Sequence, residues 1–281
     1  MESPGKHFRT ALQKEKTLQI VGVPNAYCAL MAKQTGFKAL YLSGGALSAL
    51  SYGLPDLGIL SLEDFLIETR RITDTVDLPL LVDIDVGFGS KWNIARTIKL
   101  MSKAGAAAVH IEDQIGAKRC GHRPNKSLVS QEEMVARLHA AIQSKSDPDF
   151  FIIARTDALA VEGLEKALTR ARAYEAAGAE ALFAEACTTL NEYQAFVAAL
   201  KIPVLANITE FGETPLFSVQ ELAGIGIKMA LYPFAAARMM NHAALKTYQT
   251  IKDKGTQKEL LNEMQTREEL YRFLNYYSYE S

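Results

Sequence analysis

Cysteine is scarce in this chain of 281 residues, with Cys28, Cys120 and Cys187 odd in number and far apart. That excludes a disulfide framework and a Cys/His zinc site, and it suits a reducing cytosol. An excess of one charge is also missing. Lys and Arg total 31 against 32 for Asp and Glu, a formal net charge of -1. Nothing therefore draws the chain broadly to nucleic acid or to an anionic membrane. No apolar run is long enough to span a bilayer, and residues 1–9 lack the apolar core of a secretory signal. No linker, low-complexity tract or composition break divides the sequence. We expect one domain over residues 1–281, with a helical C-terminal extension over about 241–281.

What is present is an alternation. Short apolar runs fall at residues 18–23, 39–42, 80–84, 107–111, 150–154, 181–184, 204–206 and 227–231. Continuous runs of this length suit strands buried on both faces of a parallel sheet. Between them lie helix signals. Ser61-Leu62-Glu63-Asp64 and Ser130-Gln131-Glu132-Glu133 have capping-box patterns, residues 164–177 are Ala-rich and end at Gly178, and 218–223 form a shorter helix. Eight strand–helix units predict an α/β fold, a (β/α)8 TIM-type barrel, which commonly needs about 250 residues. The end of the chain is aromatic, with Tyr271, Phe273, Tyr276, Tyr277 and Tyr279. Such a tail suggests packing against another surface, such as a second subunit.

Active sites of such barrels sit at the C-terminal ends of the strands. Here almost every apolar run stops at polar or small residues: Asn25, Ser43-Gly44-Gly45, Asp83 and Asp85, Glu112-Asp113, Arg155 and Asp157, Glu185, Asn207 and Thr209, then Tyr232. Asp83-Ile84-Asp85, read as extended, puts two carboxylates on one side. Glu112 ends the adjacent strand and adds a third. Oxygen ligands without a His/Cys cluster favour a hard cation, Mg²⁺ or Mn²⁺. Alternatively, the aspartates cap the Gly87-Phe88-Gly89 loop or pair with Arg96. Ser43-Gly44-Gly45 is either an anion-binding backbone nest or a plain turn. Arg155 and Arg238 are either carboxylate clamps or salt-bridge partners. Gly87-Phe88-Gly89-Ser90 lacks the spacing of a dinucleotide fingerprint.

One stretch stands out chemically: Lys118-Arg119-Cys120-Gly121-His122-Arg123. Flanking cations would stabilise a thiolate at Cys120 and lower its pKa. His122, on the same loop, is a better chemical candidate than His110, which lies inside an apolar run. Cys28 and Cys187 suit core packing. A hard divalent cation, anion-binding donors and one thiol would together suit a small polycarboxylate, with the thiol passing a proton.

With these segments assembled, the sequence resembles the isocitrate lyase/phosphoenolpyruvate mutase superfamily. The resemblance rests on Lys118-Arg119-Cys120-Gly121-His122, Ser43-Gly44-Gly45 and residues 81–89. It extends to His110-Ile111-Glu112-Asp113-Gln114, Ala154-Arg155-Thr156-Asp157-Ala158, residues 205–212, Gly255-Thr256-Gln257 and Met264-Gln265-Thr266-Arg267. It covers almost the whole chain. It implies Mg²⁺-dependent cleavage of a carbon–carbon bond in 2-methylisocitrate, giving pyruvate and succinate. Asp83 and Asp85, supported by Glu112, match the metal site. Cys120 matches a catalytic thiol on a mobile loop, and His122 joins it. Ser43, Gly44, Gly45, Asp56, Gly121, Arg155, Glu185, Asn207, Thr209, Arg238 and Arg267 match substrate-contacting positions. Tyr41 is the candidate base, which requires a lowered pKa.

The family also implies a homotetramer, a dimer of dimers that swaps a C-terminal helix. Ala184 departs from relatives that often carry proline there. Isocitrate lyases, with lysine in place of Arg119 and tryptophan near Phe183, are the nearest rival, followed by hydrolases of oxaloacetate-like diacids. The phosphonate mutases generally lack the Cys-Gly-His loop.

Overall fold

The computed structural model describes residues 2–280. Eight parallel strands close in sequence order into a barrel: β1 (Leu18–Gly22), β2 (Ala39–Leu42), β3 (Leu80–Asp83), β4 (Ala108–Glu112), β5 (Phe151–Thr156), β6 (Ala181–Ala184), β7 (Val204–Asn207) and β8 (Met229–Tyr232). The helices are α1 (Pro4–Lys14), α2 (Ala26–Gln34), α3 (Gly44–Leu47), α4 (Leu62–Thr73), α5 (Lys91–Lys103) and α6 (Gln131–Gln143), then α7 (Ala158–Glu162), α8 (Leu164–Ala176), α9 (Leu190–Ala199), α10 (Val219–Gly224), α11 (Ala235–Lys254) and α12 (Arg267–Leu274). The expected (β/α)8 barrel is thus the observed one.

Strand alternation divides the core in two. Outward residues such as Leu40, Val82, Val109, Ile152, Leu182 and Val204 pack beneath the helices. Inward residues such as Ile20, Leu81, Ile153, Phe183, Leu205 and Leu231 fill the barrel. Both faces are apolar, which is why the strands read as continuous runs. Helix α1, not anticipated from the sequence, closes the N-terminal end. Its Phe8 is fully buried, with its ring 5.2 Å from that of Phe151. Gly5 sits so close to Asp149 that an added Cβ would lie 2.4 Å from its carbonyl carbon.

The capping box at Ser61 forms as expected. At Ser130 only half of the pattern forms, the hydroxyl accepting from Glu133 N–H. Strand β5 continues through Arg155 and Thr156, beyond the expected end at 154, because both residues pair with β6 opposite Phe183 and Ala184. Ala184 sits in regular strand, so proline is not needed to shape this end of β6. Helix α11 begins at Ala235, not near 241, because Ala235-Ala236-Ala237 are strong helix formers with no break after them.

The C-terminal tail rests on α2 of its own chain. The Tyr27 hydroxyl donates to Gln265 Oε1 at 2.7 Å, and the Tyr27 and Phe273 rings lie 6.1 Å apart, edge to face. Tyr271 and Tyr276 stack on each other at 4.2 Å, while Tyr277 and Tyr279 are exposed. Among the described residues, no helix is long and apolar enough to cross a membrane.

Candidate active site

The inward register of each strand, continued past the apolar layers, reaches Tyr41, Asp83, His110, Glu112, Arg155, Asp157, Phe183, Glu185 and Asn207. Parallel strands in register place these side chains at the same end of the barrel. Of these, Tyr41, Asp83, Arg155, Phe183, Glu185 and Asn207 face a cavity of about 370 Å³, a size that suits a small ligand. Tyr41, Ser43, Gly45, Asp56, Asp83, Cys120, Gly121, His122, Arg155, Glu185, Asn207, Thr209 and Arg238 all line it. Gly44, Asp85 and Glu112 lie just behind its wall.

Arg267 does not join them. It opens α12, which packs on α2 outside the barrel, and its side chain is exposed. Within one chain this expected substrate contact is not made, because the tail runs across the outer helices and not over the barrel mouth.

Strand β3 ends at Asp83, and Asp85 has left-handed backbone, φ +47°. The extended reading of Asp83-Ile84-Asp85 is therefore corrected: a turn, not strand alternation, brings the two carboxyls together. Asp83 Oδ1 accepts from Asp85 N–H at 3.0 Å, and Oδ2 accepts from Gly44 N–H at 3.1 Å. Ser43 caps α3, its hydroxyl accepting from Ala46 N–H. The Ser-Gly-Gly turn is thus a helix start whose second N–H is already engaged.

Lys118 Nζ lies 2.7 Å from Asp85 Oδ1 and also pairs with Asp56. Burial opposes charge on this lysine, but Asp85 and Glu112 more than compensate and raise its pKa. Burial works to raise the Asp83 carboxyl, yet His110, Lys118 and Arg155 hold it below the ordinary value. Burial and the neighbouring Asp83 push Asp85 up to about 6.

Glu112 is fully buried, and neither oxygen has a hydrogen-bond donor. Arg155 Nη1 stands 3.4 Å from Oε2. Burial raises this carboxyl well above its ordinary value. A buried carboxylate without donors is a place where a cation belongs. The oxygen-only donor set fits Mg²⁺ or Mn²⁺. Among the described residues, no three His, Cys, Asp or Glu side chains form a ready metal cage. Asp83, Asp85 and Glu112 therefore do not converge as a cage here, and Asp85 is paired with Lys118 instead.

Two expectations about acidity are reversed. Burial raises the Cys120 thiol, although the His122 backbone N–H partly offsets this. The neighbouring Lys118 cannot activate it, being committed to Asp56 and Asp85. Arg119 is exposed to solvent. Burial and then Asp83 raise Tyr41 well above the ordinary phenol value. Its hydroxyl lies 2.9 Å from His110 Nε2. His110 is held neutral by burial, with its pKa down to about 4. As a core histidine it is only half satisfied, since Nδ1 has no partner.

His122 is fixed from both sides. Its Nδ1 accepts from Glu213 N–H at 3.1 Å, so the ring proton lies on Nε2, 2.7 Å from Glu185 Oε1. Burial opposes charge on Glu185, but Arg155 and His122 bring its pKa down to about 2. Gly121 is required where the loop meets the barrel: a Cβ there would lie 2.4 Å from Arg155 Nη2 and 2.5 Å from Glu185 Cγ. Of their two expected roles, the arginines show that of salt-bridge partner. Arg155 pairs with Asp157 at 3.0 Å and lies over the Phe183 ring at 5.1 Å. Arg238 pairs with Glu210 at 3.4 Å and sits between the Phe211 and Phe234 rings, at 5.3 and 5.2 Å.

Sequence reasoning overlooked Phe211 and Phe234 in the wall and Lys118 as a partner of the acids. Lys118 carried one signal, its place beside Cys120. Phe211 carried none, and it is 94% exposed at left-handed φ +60°.

A closed parallel barrel with acids, arginines and a half-buried thiol at its C-terminal mouth has the architecture of a (β/α)8 enzyme. The family model described as phosphoenolpyruvate phosphomutase matches residues 8–252, and the chain belongs to the phosphoenolpyruvate mutase/isocitrate lyase superfamily. It is 60% identical to the 2-methylisocitrate lyase of Escherichia coli (strain K12) over 281 residues, 100% of this chain and 95% of the relative. It is similar to oxaloacetate acetylhydrolase in complex with 3,3-difluorooxalacetate, with TM-score 0.93, 33% identity, and 99% and 95% of the two chains covered. It also resembles phosphonopyruvate hydrolase in complex with oxalate and Mg²⁺, with TM-score 0.89, 30% identity, and 99% and 97% covered.

Proposed function

We propose that this chain is a carbon–carbon lyase that cleaves 2-methylisocitrate to pyruvate and succinate, using Mg²⁺ or Mn²⁺. The observation that carries the reading is the Cys120 thiol in the wall of a cavity also lined by Asp83, Arg155 and Glu185. Cleavage beside a tertiary hydroxyl leaves a carbanion on the departing succinate, which needs a proton. A half-buried thiol with a raised pKa is suited to donate one. The 60% identity to a 2-methylisocitrate lyase, against 33% to the acetylhydrolase, favours this substrate over an oxaloacetate-like diacid.

Asp83, Asp85 and Glu112 would hold the cation, which when bound supplies positive charge to stabilise the oxyanions of the reaction. The protein supplies the rest. Arg155 and Arg238 face the cavity as donors for carboxylates, while the His122 Nε2–H is given to Glu185 and holds that carboxylate in place. Ser43, Gly44, Gly45, Asp56, Gly121, Asn207 and Thr209 shape and orient it. Tyr41, neutral and tied to His110, orients the substrate hydroxyl. It is not a standing phenolate base. Asp83 and Glu185, both with lowered pKa values, are the ionised acceptors that face the cavity.

The exposed apolar residues of α11 and the tail, including Leu245, Tyr248 and Leu261, support a homotetramer in which the 241–281 extension contacts another subunit. Arg267 would then reach a neighbour's cavity. The single-domain organisation over 1–281 and a cytosolic location, suited to three free cysteines, complete the reading.

The experiment is to incubate purified protein with Mg²⁺ and 2-methylisocitrate and measure pyruvate. The same assay with isocitrate gives the ratio of kcat/KM values, and oxaloacetate is followed by oxalate release. A preference for isocitrate, or oxalate as the main product of the fastest reaction, would overturn the assignment.

A further inference from the structure

The cysteine loop, residues 115–127, leaves and re-enters the barrel rim at adjacent points. Gln114 bridges Leu128, and Ile115 N–H donates to Ser127 carbonyl at 3.0 Å. Its base is thus fixed, while the position of its tip depends on a few contacts. Within the loop, Gln114 holds Arg119 through both side-chain atoms, at 2.9 and 3.0 Å, and Arg123 N–H donates to Cys120 carbonyl at 2.9 Å.

Two contacts from the tip to the barrel, those of Lys118 and His122, lie in the cavity wall and meet candidate site residues. A third does not. Lys126 lies outside the cavity lining. Its side chain is 2% exposed, and its ammonium is 2.8 Å from Asp157 Oδ1, a carboxyl with 0% exposure. The same ammonium donates to the Gly121 carbonyl, the backbone oxygen next to Cys120. Asp157 is itself held in place. Its N–H donates to Asp113 Oδ1 at 2.9 Å, and Arg155 Nε donates to its Oδ2 at 3.0 Å.

We propose that Lys126 is a positioning residue that latches the cysteine loop shut, its ammonium tying the Gly121 carbonyl to Asp157 and so fixing where the Cys120 sulfur stands. Three observations carry this. The ammonium is buried, and a buried charge needs partners close by. One partner belongs to the barrel and the other to the loop tip, so the contact is made only when the tip is down. The loop partner is a backbone carbonyl, so the contact places the chain itself next to the thiol. With the tip raised, Lys126 keeps Asp157 but loses Gly121, and the half-buried thiol moves further into solvent.

The proposal takes Cys120 as the working thiol of the function proposed above, but its test needs no substrate. In Lys126→Met the stem is kept and the charge removed. The Asp157 carboxyl retains Arg155 as its charge partner, so the fold should hold, as thermal unfolding will show. Alkylation of Cys120 by iodoacetamide, read at that residue by peptide mass spectrometry, should accelerate about ten- to a hundredfold, the share of closure owed to one charge-assisted hydrogen bond. In the pyruvate assay kcat should fall by about tenfold or more with KM moving less than about threefold, because Lys126 does not touch the cavity. Lys126→Arg should recover part of both. If Lys126→Met does not fold, Lys126→Gln, too short to hold both partners, is read in the same way. A folded variant whose Cys120 is alkylated at the wild-type rate would overturn the latch. Faster alkylation in a protein that releases no pyruvate from 2-methylisocitrate would support the latch and defeat the substrate assignment.

Discussion

Cys120→Ser is the sharpest test of the proposed chemistry. The two side chains have nearly the same shape, and the site requires no new packing. What changes is acidity. Burial raises the Cys120 thiol above its ordinary value, but it remains a far stronger acid than an aliphatic hydroxyl, which is about as weak an acid as water. Proton donation by a positioned acid contributes about 10²–10⁴ in rate. Replacing that acid should therefore lower kcat by more than about a hundredfold, or about 3 kcal/mol of barrier. KM should change little, since the thiol gains its role only as the carbanion forms. The assay is steady-state pyruvate release with saturating Mg²⁺, with Tm measured on the same sample to exclude unfolding. A variant with wild-type Tm and a kcat within about threefold of wild type would show that Cys120 is not the acid.

Other outcomes follow from neighbouring residues. Because the acid form of Cys120 is the competent one and its pKa is raised, kcat should hold as pH climbs past the ordinary thiol value, about 8.5, and decline only beyond it. A fall in the pH–rate profile centred near neutrality would contradict that assignment. Glu112→Gln should leave the Tm of the metal-free protein nearly unchanged, since burial already favours the neutral carboxyl. It should shrink the Mg²⁺-induced rise, worth about 2.7 kcal/mol at a hundredfold excess over Kd. An undiminished rise, followed by calorimetry, would remove Glu112 from the metal site. Phe183 is buried between His110 and Arg155, with its ring 5.2 Å from the imidazole. Phe183→Trp should fill space beside the substrate and shift the kcat/KM ratio toward isocitrate by about 10–200-fold. An unmoved ratio would mean that the methyl group is read elsewhere.

Much of this protein is legible in the order of its residues. Apolar runs such as 80–84 and 181–184 announce strands, because burial on both faces leaves no room for polar alternation. Capping residues such as Ser61 announce helices, because the first turn leaves N–H groups without partners. The barrel follows from counting units, and the line of polar strand ends follows from where such barrels work. Asp83, Glu112, Arg155, Glu185 and Asn207 were found this way, or through family likeness, and they do meet at one mouth.

Acidity and partnership were decided in three dimensions. Cys120 among cations reads as a thiolate, yet folding commits Lys118 to Asp56 and Asp85 and half-buries the residue, which raises the thiol's pKa. Tyr41 reads as a base, yet burial beside Asp83 keeps it neutral. Asp85 takes its place from a left-handed turn rather than from strand alternation, and Lys126 finds Asp157 31 residues away. The apolar pattern is a property of each stretch of chain, so the sequence alone determines it. A pKa or an ion pair depends on which charges lie within a few ångströms and how much water is excluded, and the closed barrel alone determines that.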